Sequence, residues 1–181
     1  MACLAVVHAA QLVCVSGGVG LGIVADGAMV VREGRIEWVG PTDEMPAFEG
    51  ETIDASGKVV LPGFVDAHTH VVFGGSRASE FEMRSRGATY EEIATAGGGI
   101  RSTVASTRLC TEDELVLAAT KRMRWMSAGG TTTIEAKSGY GLSLASELKL
   151  LRAIRRAFLL LGVLHGRTAG PHGSATLSER L

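Results

Sequence analysis

The chain has 181 residues, 46% of them hydrophobic and 20% charged. That is a globular composition rather than a disordered one, long enough for one ordinary domain with a core or for one and a piece. A net charge of −1 gives no steering toward nucleic acid or an anionic membrane. The three cysteines, Cys3, Cys14 and Cys110, are odd in number and lack a Cys-x-x-Cys pair, which argues against a disulfide framework or a zinc ribbon and for free thiols in a reducing compartment.

The first fifteen residues are apolar, but no Lys or Arg precedes Arg32 and His8 and Gln11 interrupt the run, so a secretory signal is not expected. The densest late apolar run, Phe158 to Leu164, is far shorter than a membrane span. A cytoplasmic protein is expected. Residues 1–60 read as a small β-domain, with strands at Val13–Val15, Ala28–Arg32, Arg35–Val39 and Lys58–Leu61 separated by Gly, Asp and Pro. Glu33-Gly34 reads as a tight hairpin turn, and Pro41 and Pro46 bracket a loop.

At Pro62-Gly63 the pattern changes. A strand over Phe64–His70 leads into the loop Phe73-Gly74-Gly75-Ser76-Arg77. Thr89-Tyr90-Glu91-Glu92 and Thr111-Glu112-Asp113-Glu114 have capping-box form, and the second opens a helix to about Ser127 that Ala128-Gly129-Gly130 ends. The β-branched run Thr131–Ala136 is another strand, followed by the loop Lys137-Ser138-Gly139-Tyr140-Gly141. A last helix carries an apolar stripe of Leu144, Leu148, Leu151, Ile154, Phe158 and Leu161, with Lys149, Arg152, Arg155 and Arg156 on a face expected to be solvated. The βα alternation of residues 61–161 predicts a parallel α/β fold. From Gly162 to Leu181 no period continues, and this atypical tail is expected to be irregular, disordered, or the product of a frame shift.

The candidate chemistry begins at His68 and His70. Two positions apart on a strand, they share a face on which two imidazoles can grip one metal ion, while Thr69 points away. Asp66 is expected to brace that strand. Gly20-Leu21-Gly22-Ile23-Val24-Ala25 matches a dinucleotide-binding fingerprint formally, but Asp26-Gly27 and then valines follow where a helix would be needed. The cysteines have no adjacent base in the sequence and suggest no nucleophile.

Leu61-Pro62-Gly63-Phe64-Val65-Asp66-Ala67-His68-Thr69-His70 resembles the amidohydrolase-superfamily signature that ends the first strand of a (β/α)8 barrel beside an N-terminal β-domain. Phe73–Arg77, Glu80-Phe81, Gly97-Gly98-Gly99-Ile100 and Glu135–Leu142 narrow the resemblance to the imidazolonepropionase family, over about residues 1–160. The resemblance implies a hydrolase acting on a cyclic amide C–N bond, opening 4-imidazolone-5-propanoate to N-formimidoyl-L-glutamate in histidine degradation with one zinc or iron ion. It implies His68 and His70 as metal ligands and Arg77 and Tyr140 as substrate-binding residues. Lys137 is then structural or supports the site, since the family is mononuclear. The small molecule is the expected partner, with a homodimer implied and neither nucleic acid nor membrane.

A whole barrel takes about 250 residues, so the expected architecture is a small β-domain plus the first βα units of a truncated barrel. The family's later metal ligands and its Gly-Ala-His loop fall outside the matching segment. His165 and His172 lie near where that loop is expected, but their surroundings do not match and neither takes the role. An alternative is an inactive fragment lacking those ligands, or another cyclic amidohydrolase such as a deaminase. Two barrel strands with unpaired edges predict poor solubility.

Overall fold

A computed structural model describes residues 3–16, 20–161, 166–169 and 174–178. His165 and His172 lie outside them. The chain divides into two compact units, one built from residues 1–63 and one from residues 64–179.

The first unit is a five-stranded sheet of β1 (Cys3–Val13), β2 (Ile23–Arg32), β3 (Arg35–Pro41), β4 (Glu51–Asp54) and β5 (Val59–Val60). Its order is β3-β2-β1-β4, with β5 also on β1. The strand expected at Val13–Val15 is instead β1, ending at Val13 after eleven residues. Being central, β1 is buried on both faces. Ala5 and Val7 pack with Ala28 on one side, and Val6, Ala9 and Leu12 with Ala55 on the other. A doubly buried strand reads as an unbroken apolar run with no alternation to betray it. Glu33 and Gly34 both have positive φ, 52° and 73°, in a two-residue turn that pairs Arg32 with Arg35. This is the left-handed geometry a tight hairpin demands.

The second unit runs β6 (Phe64–Thr69), α1 (Ala78–Ser85), α2 (Tyr90–Thr95), α3 (Ile100–Leu109), α4 (Glu112–Ala128), β7 (Thr131–Lys137) and α5 (Leu144–Leu160). Strands β6 and β7 pair in parallel, Val65 beside Thr133. Both predicted capping boxes form: the side chains of Thr89 and Thr111 accept the backbone N–H of Glu92 and Glu114, whose carboxylates accept in return from the cap residues' own N–H. The core lies between β7 and the helices, where Ile134 and Ala136 meet Leu115, Ala119 and Met123 of α4 and Leu150, Ala153, Ile154 and Ala157 of α5.

Three expectations change here. On α5 the buried face is Leu150, Ala153, Ile154, Ala157 and Phe158, while Leu144 and Leu148 of the predicted stripe are exposed. The small alanines let the helices approach closely, a role that a stripe of large residues does not register. The basic face of α5 is also engaged rather than simply solvated. Lys149 donates to the carbonyls of Thr107, Arg108 and Cys110 at the end of α3, and Arg152 and Arg156 pair with Glu112 and Asp113 of α4. In the tail, residues expected to be irregular form β8 (Gly166–Ala169) and β9 (Ser174–Ser178). β9 pairs antiparallel with β7, and β8 with β9. The open edge of β7 offers unpaired N–H and C=O groups that a passing extended segment satisfies.

Candidate active site

The site forms where β6 and β7 end. Strand β6 stops at Thr69, so His68 lies in the strand and His70 just past it. The Asp66 carboxylate accepts the backbone N–H of His68 at 3.0 Å, tying down the turn of chain that carries both rings. The imidazole centres of His68 and His70 are 5.4 Å apart. Two imidazoles on one tetrahedral ion, each with its nitrogen about 2 Å from the metal, have ring centres roughly 5 Å apart. Nδ1 of His70 is buried and has no hydrogen-bond partner, an arrangement that costs about 1–3 kcal/mol unless something fills it. Spacing and orphaned nitrogen both fit a metal held by these two residues. Among the described residues, no group of three or more His, Cys, Asp or Glu side chains is arranged to hold an ion.

The loop after β7 packs directly on His70. The Tyr140 ring is 5.1 Å from that of His70, centre to centre, and 5.9 Å from that of Phe73. Gly139, at φ +152°, passes so close that a Cβ there would lie 2.8 Å from Cε1 of His70. The loop is clamped from behind. Oε1 of Glu147 accepts from the N–H groups of Gly141 and Leu142, and Nε of Arg108 donates to the Gly141 carbonyl. Lys137 forms an ion pair with Glu135 on β7.

Arg77 stands at the start of α1, where its Nε donates to Oγ1 of the buried Thr103 at 2.9 Å. That bond uses only Nε and leaves both Nη groups for a ligand. Glu80, one turn on, accepts the N–H of Gly99, which links the Glu80-Phe81 segment to the Gly97-Gly98-Gly99 turn. Arg77 and Tyr140 line one cleft of about 630 Å³ with Phe73, Arg122 and Trp125 among its other walls. Arg122 of α4 donates to the carbonyls of Val71 and Phe73 and stacks on the Phe73 ring, 3.5 Å from its centre. Burial lowers its pKa from the usual guanidinium value, with a smaller opposing effect from Cys110. The structure thus gathers His68, His70 and Tyr140 directly and Arg77 through the shared cleft. Sequence reasoning missed Arg122, Arg108 and Glu147. Their contacts with the site are to backbone or ring groups, which no local motif announces.

A family model described as an amidohydrolase family matches residues 51–116, and one described as an imidazolonepropionase-like composite domain of bacteria matches residues 27–48. The imidazolonepropionase of Methylobacterium nodulans is 58% identical over 138 residues, which cover 76% of this chain and 34% of that protein. That of a Caulobacter species is 57% identical over 141 residues, covering 77% and 35%. The chain matches the N-terminal third of imidazolonepropionases. It spans only about a third of the length of these curated relatives. Solved structures agree on the fold: a triazine hydrolase from Arthobacter aurescens (TM-score 0.55, 18% identity, 90% of this chain and 34% of that one) and a guanine deaminase from Bradyrhizobium japonicum (TM-score 0.56, 18% identity, 90% and 33%). The second unit is therefore the opening of an amidohydrolase-type barrel, preceded by the small β-sheet unit. The amidohydrolase family model covers the segment that holds His68, His70 and Arg77, and both it and the imidazolonepropionase matches support a hydrolase by resemblance.

Proposed function

We propose that this chain forms the N-terminal part of a metal-dependent hydrolase that opens the ring amide of 4-imidazolone-5-propanoate to N-formimidoyl-L-glutamate in histidine catabolism. One observation carries the reading: Tyr140 packs on His70 and lines the same cleft as Arg77, so metal-ligand and carboxylate-binding chemistry meet at one place. His68 and His70 are the residues that would hold a zinc or iron ion. Bound there, such an ion lowers the pKa of water toward neutrality and polarises the ring carbonyl. The two Nη groups of Arg77 pair with the propanoate carboxylate, and the Tyr140 hydroxyl donates to the ring or to that carboxylate. Water adds at the ring carbonyl carbon, the C–N bond breaks, and the ring nitrogen leaves carrying a proton. In this reading the enzyme is cytoplasmic and homodimeric and acts on a small molecule, with no part for nucleic acid or membrane. Among the described residues no helix is long and apolar enough to cross a membrane.

A second reading concerns this chain by itself. A catalytic zinc usually has three protein ligands, and no such group is found among the described residues. The chain alone then binds metal weakly and does not turn over. Calorimetric titration of zinc into the purified chain and its His70→Ala variant tests the site, and an imidazole bearing a propanoate arm then probes the cleft. We expect one weak zinc site that His70→Ala abolishes. Arg77→Met should weaken the carboxylate probe by roughly tenfold or more, the worth of a charge-assisted hydrogen bond. Zinc binding indifferent to His70→Ala would sink the metal assignment. Metal-dependent ring opening by the 181-residue chain would sink the second reading and leave the first standing.

A further inference from the structure

We infer that Arg122 is a positioning residue for this site, acting through Phe73 to hold Tyr140 against His70. Five contacts make a continuous path. One Nη group of Arg122 donates to both the Val71 and Phe73 carbonyls, at 3.0 and 2.9 Å. This fixes the chain immediately after the His68-Thr69-His70 strand end. The same guanidinium lies 3.5 Å from the centre of the Phe73 ring, and a half-buried cation on an aromatic face is worth more than an exposed one. The Phe73 ring meets Tyr140 edge-on at 5.9 Å, and Tyr140 meets His70 at 5.1 Å. Val71 is buried, so the segment that Arg122 grips is anchored in the core at one end and carries the site at the other. Arg122 of α4 thereby bears on His70 through Phe73 and Tyr140. Arg122 also lines the cleft; both of its hydrogen bonds run to the chain and use one Nη group, whereas Arg77 is held through Nε and keeps both Nη groups for a ligand.

The inference rests on the metal-site reading, and its test is separable from it. The probe is the Cε1–H resonance of His70 in the histidine-labelled 181-residue chain, assigned with His70→Gln and calibrated with Tyr140→Leu, which removes the neighbouring ring current. In Arg122→Met the His70 signal is expected to move at least halfway toward its Tyr140→Leu position, and zinc affinity to fall about tenfold, the lower end for groups that orient metal ligands. Arg122→Lys keeps a cation but not the planar guanidinium, so it should give a smaller shift and a partial recovery of affinity. Arg124→Met, on an exposed position of the same helix, should leave the His70 signal where it is. A merely structural role would lower the melting temperature without moving that resonance. An unmoved His70 signal in a folded Arg122→Met chain overturns the inference; should that variant fail to fold, the same result in Arg122→Lys and Phe73→Leu overturns it. The resonance is read without metal, so a parent chain that binds no zinc would sink the metal reading while the positioning role is still decided by the shift.

Discussion

At the scale of single residues, the site depends on close approach. Gly139 lies where any side chain would meet His70, with a Cβ 2.8 Å from Cε1 and 3.2 Å from Nδ1. Gly139→Ala must therefore push the ring or the loop aside, and its φ of +152° adds backbone strain for any L-residue with a side chain. We expect at least a tenfold loss of zinc affinity with far-UV circular dichroism unchanged; a folded variant with parent-like affinity would show that His70 is not held by this contact. The legibility of the site divides along the same line. His68 and His70 stand out in the sequence as a candidate pair because two histidines two apart at the end of a strand are a local pattern. Arg77 and Tyr140 enter the candidate site only through resemblance to a family. Arg122 was not legible at all. It reaches Val71 across 51 positions of chain, and nothing within a helical turn of it distinguishes it from the exposed Lys121 or Arg124 beside it.

At the scale of elements, helix starts were legible and helix faces less so. A capping box is a four-residue event, and both predicted boxes form. Thr111→Ala removes the cap of α4 and should cost about 1 kcal/mol in chemical denaturation, with Thr111→Ser restoring most of it. Which face α5 buries is decided by what α4 offers. That is why Ala153 and Ala157, rather than Leu144 and Leu148, ended inside. The two helices are also joined by charge. Hydrogen bonds from Arg152 and then Arg156 hold the Glu112 carboxyl below its usual pKa, against a smaller opposing effect of burial. A carboxylate whose folded pKa is depressed stabilises the fold fully above its unfolded pKa. The contribution drains away as pH falls through the folded value. The parent chain should then exceed Glu112→Gln in stability at pH 7, and the gap should close as the solution is acidified below the ordinary glutamate range. A gap independent of pH would mean that the pair acts through packing alone.

At the scale of the whole molecule, the break between the two units was legible in the change of pattern at Pro62-Gly63, and the parallel pairing of β6 with β7 in the βα alternation. The central β1 was not, because burial on both faces erases alternation, nor was the antiparallel pairing of β9 with β7, because a strand recruited to an open edge needs little pattern of its own. That pairing covers one side of β7 but does nothing for β6. Strand β6 is the outer strand of its sheet and pairs only with β7 among the described residues. Phe64 and Val65 on it are 54% and 69% exposed. An open edge carrying large apolar side chains is a template for pairing with another copy, and a lysine placed on such an edge makes that pairing costly because its charge cannot be buried. The chain should accordingly self-associate with rising concentration in sedimentation velocity, and Val65→Lys should shift it toward monomer without changing its far-UV spectrum. Persistent association in the folded Val65→Lys chain would move the contact away from β6, to another apolar surface such as the exposed Leu117 and Trp125 of α4.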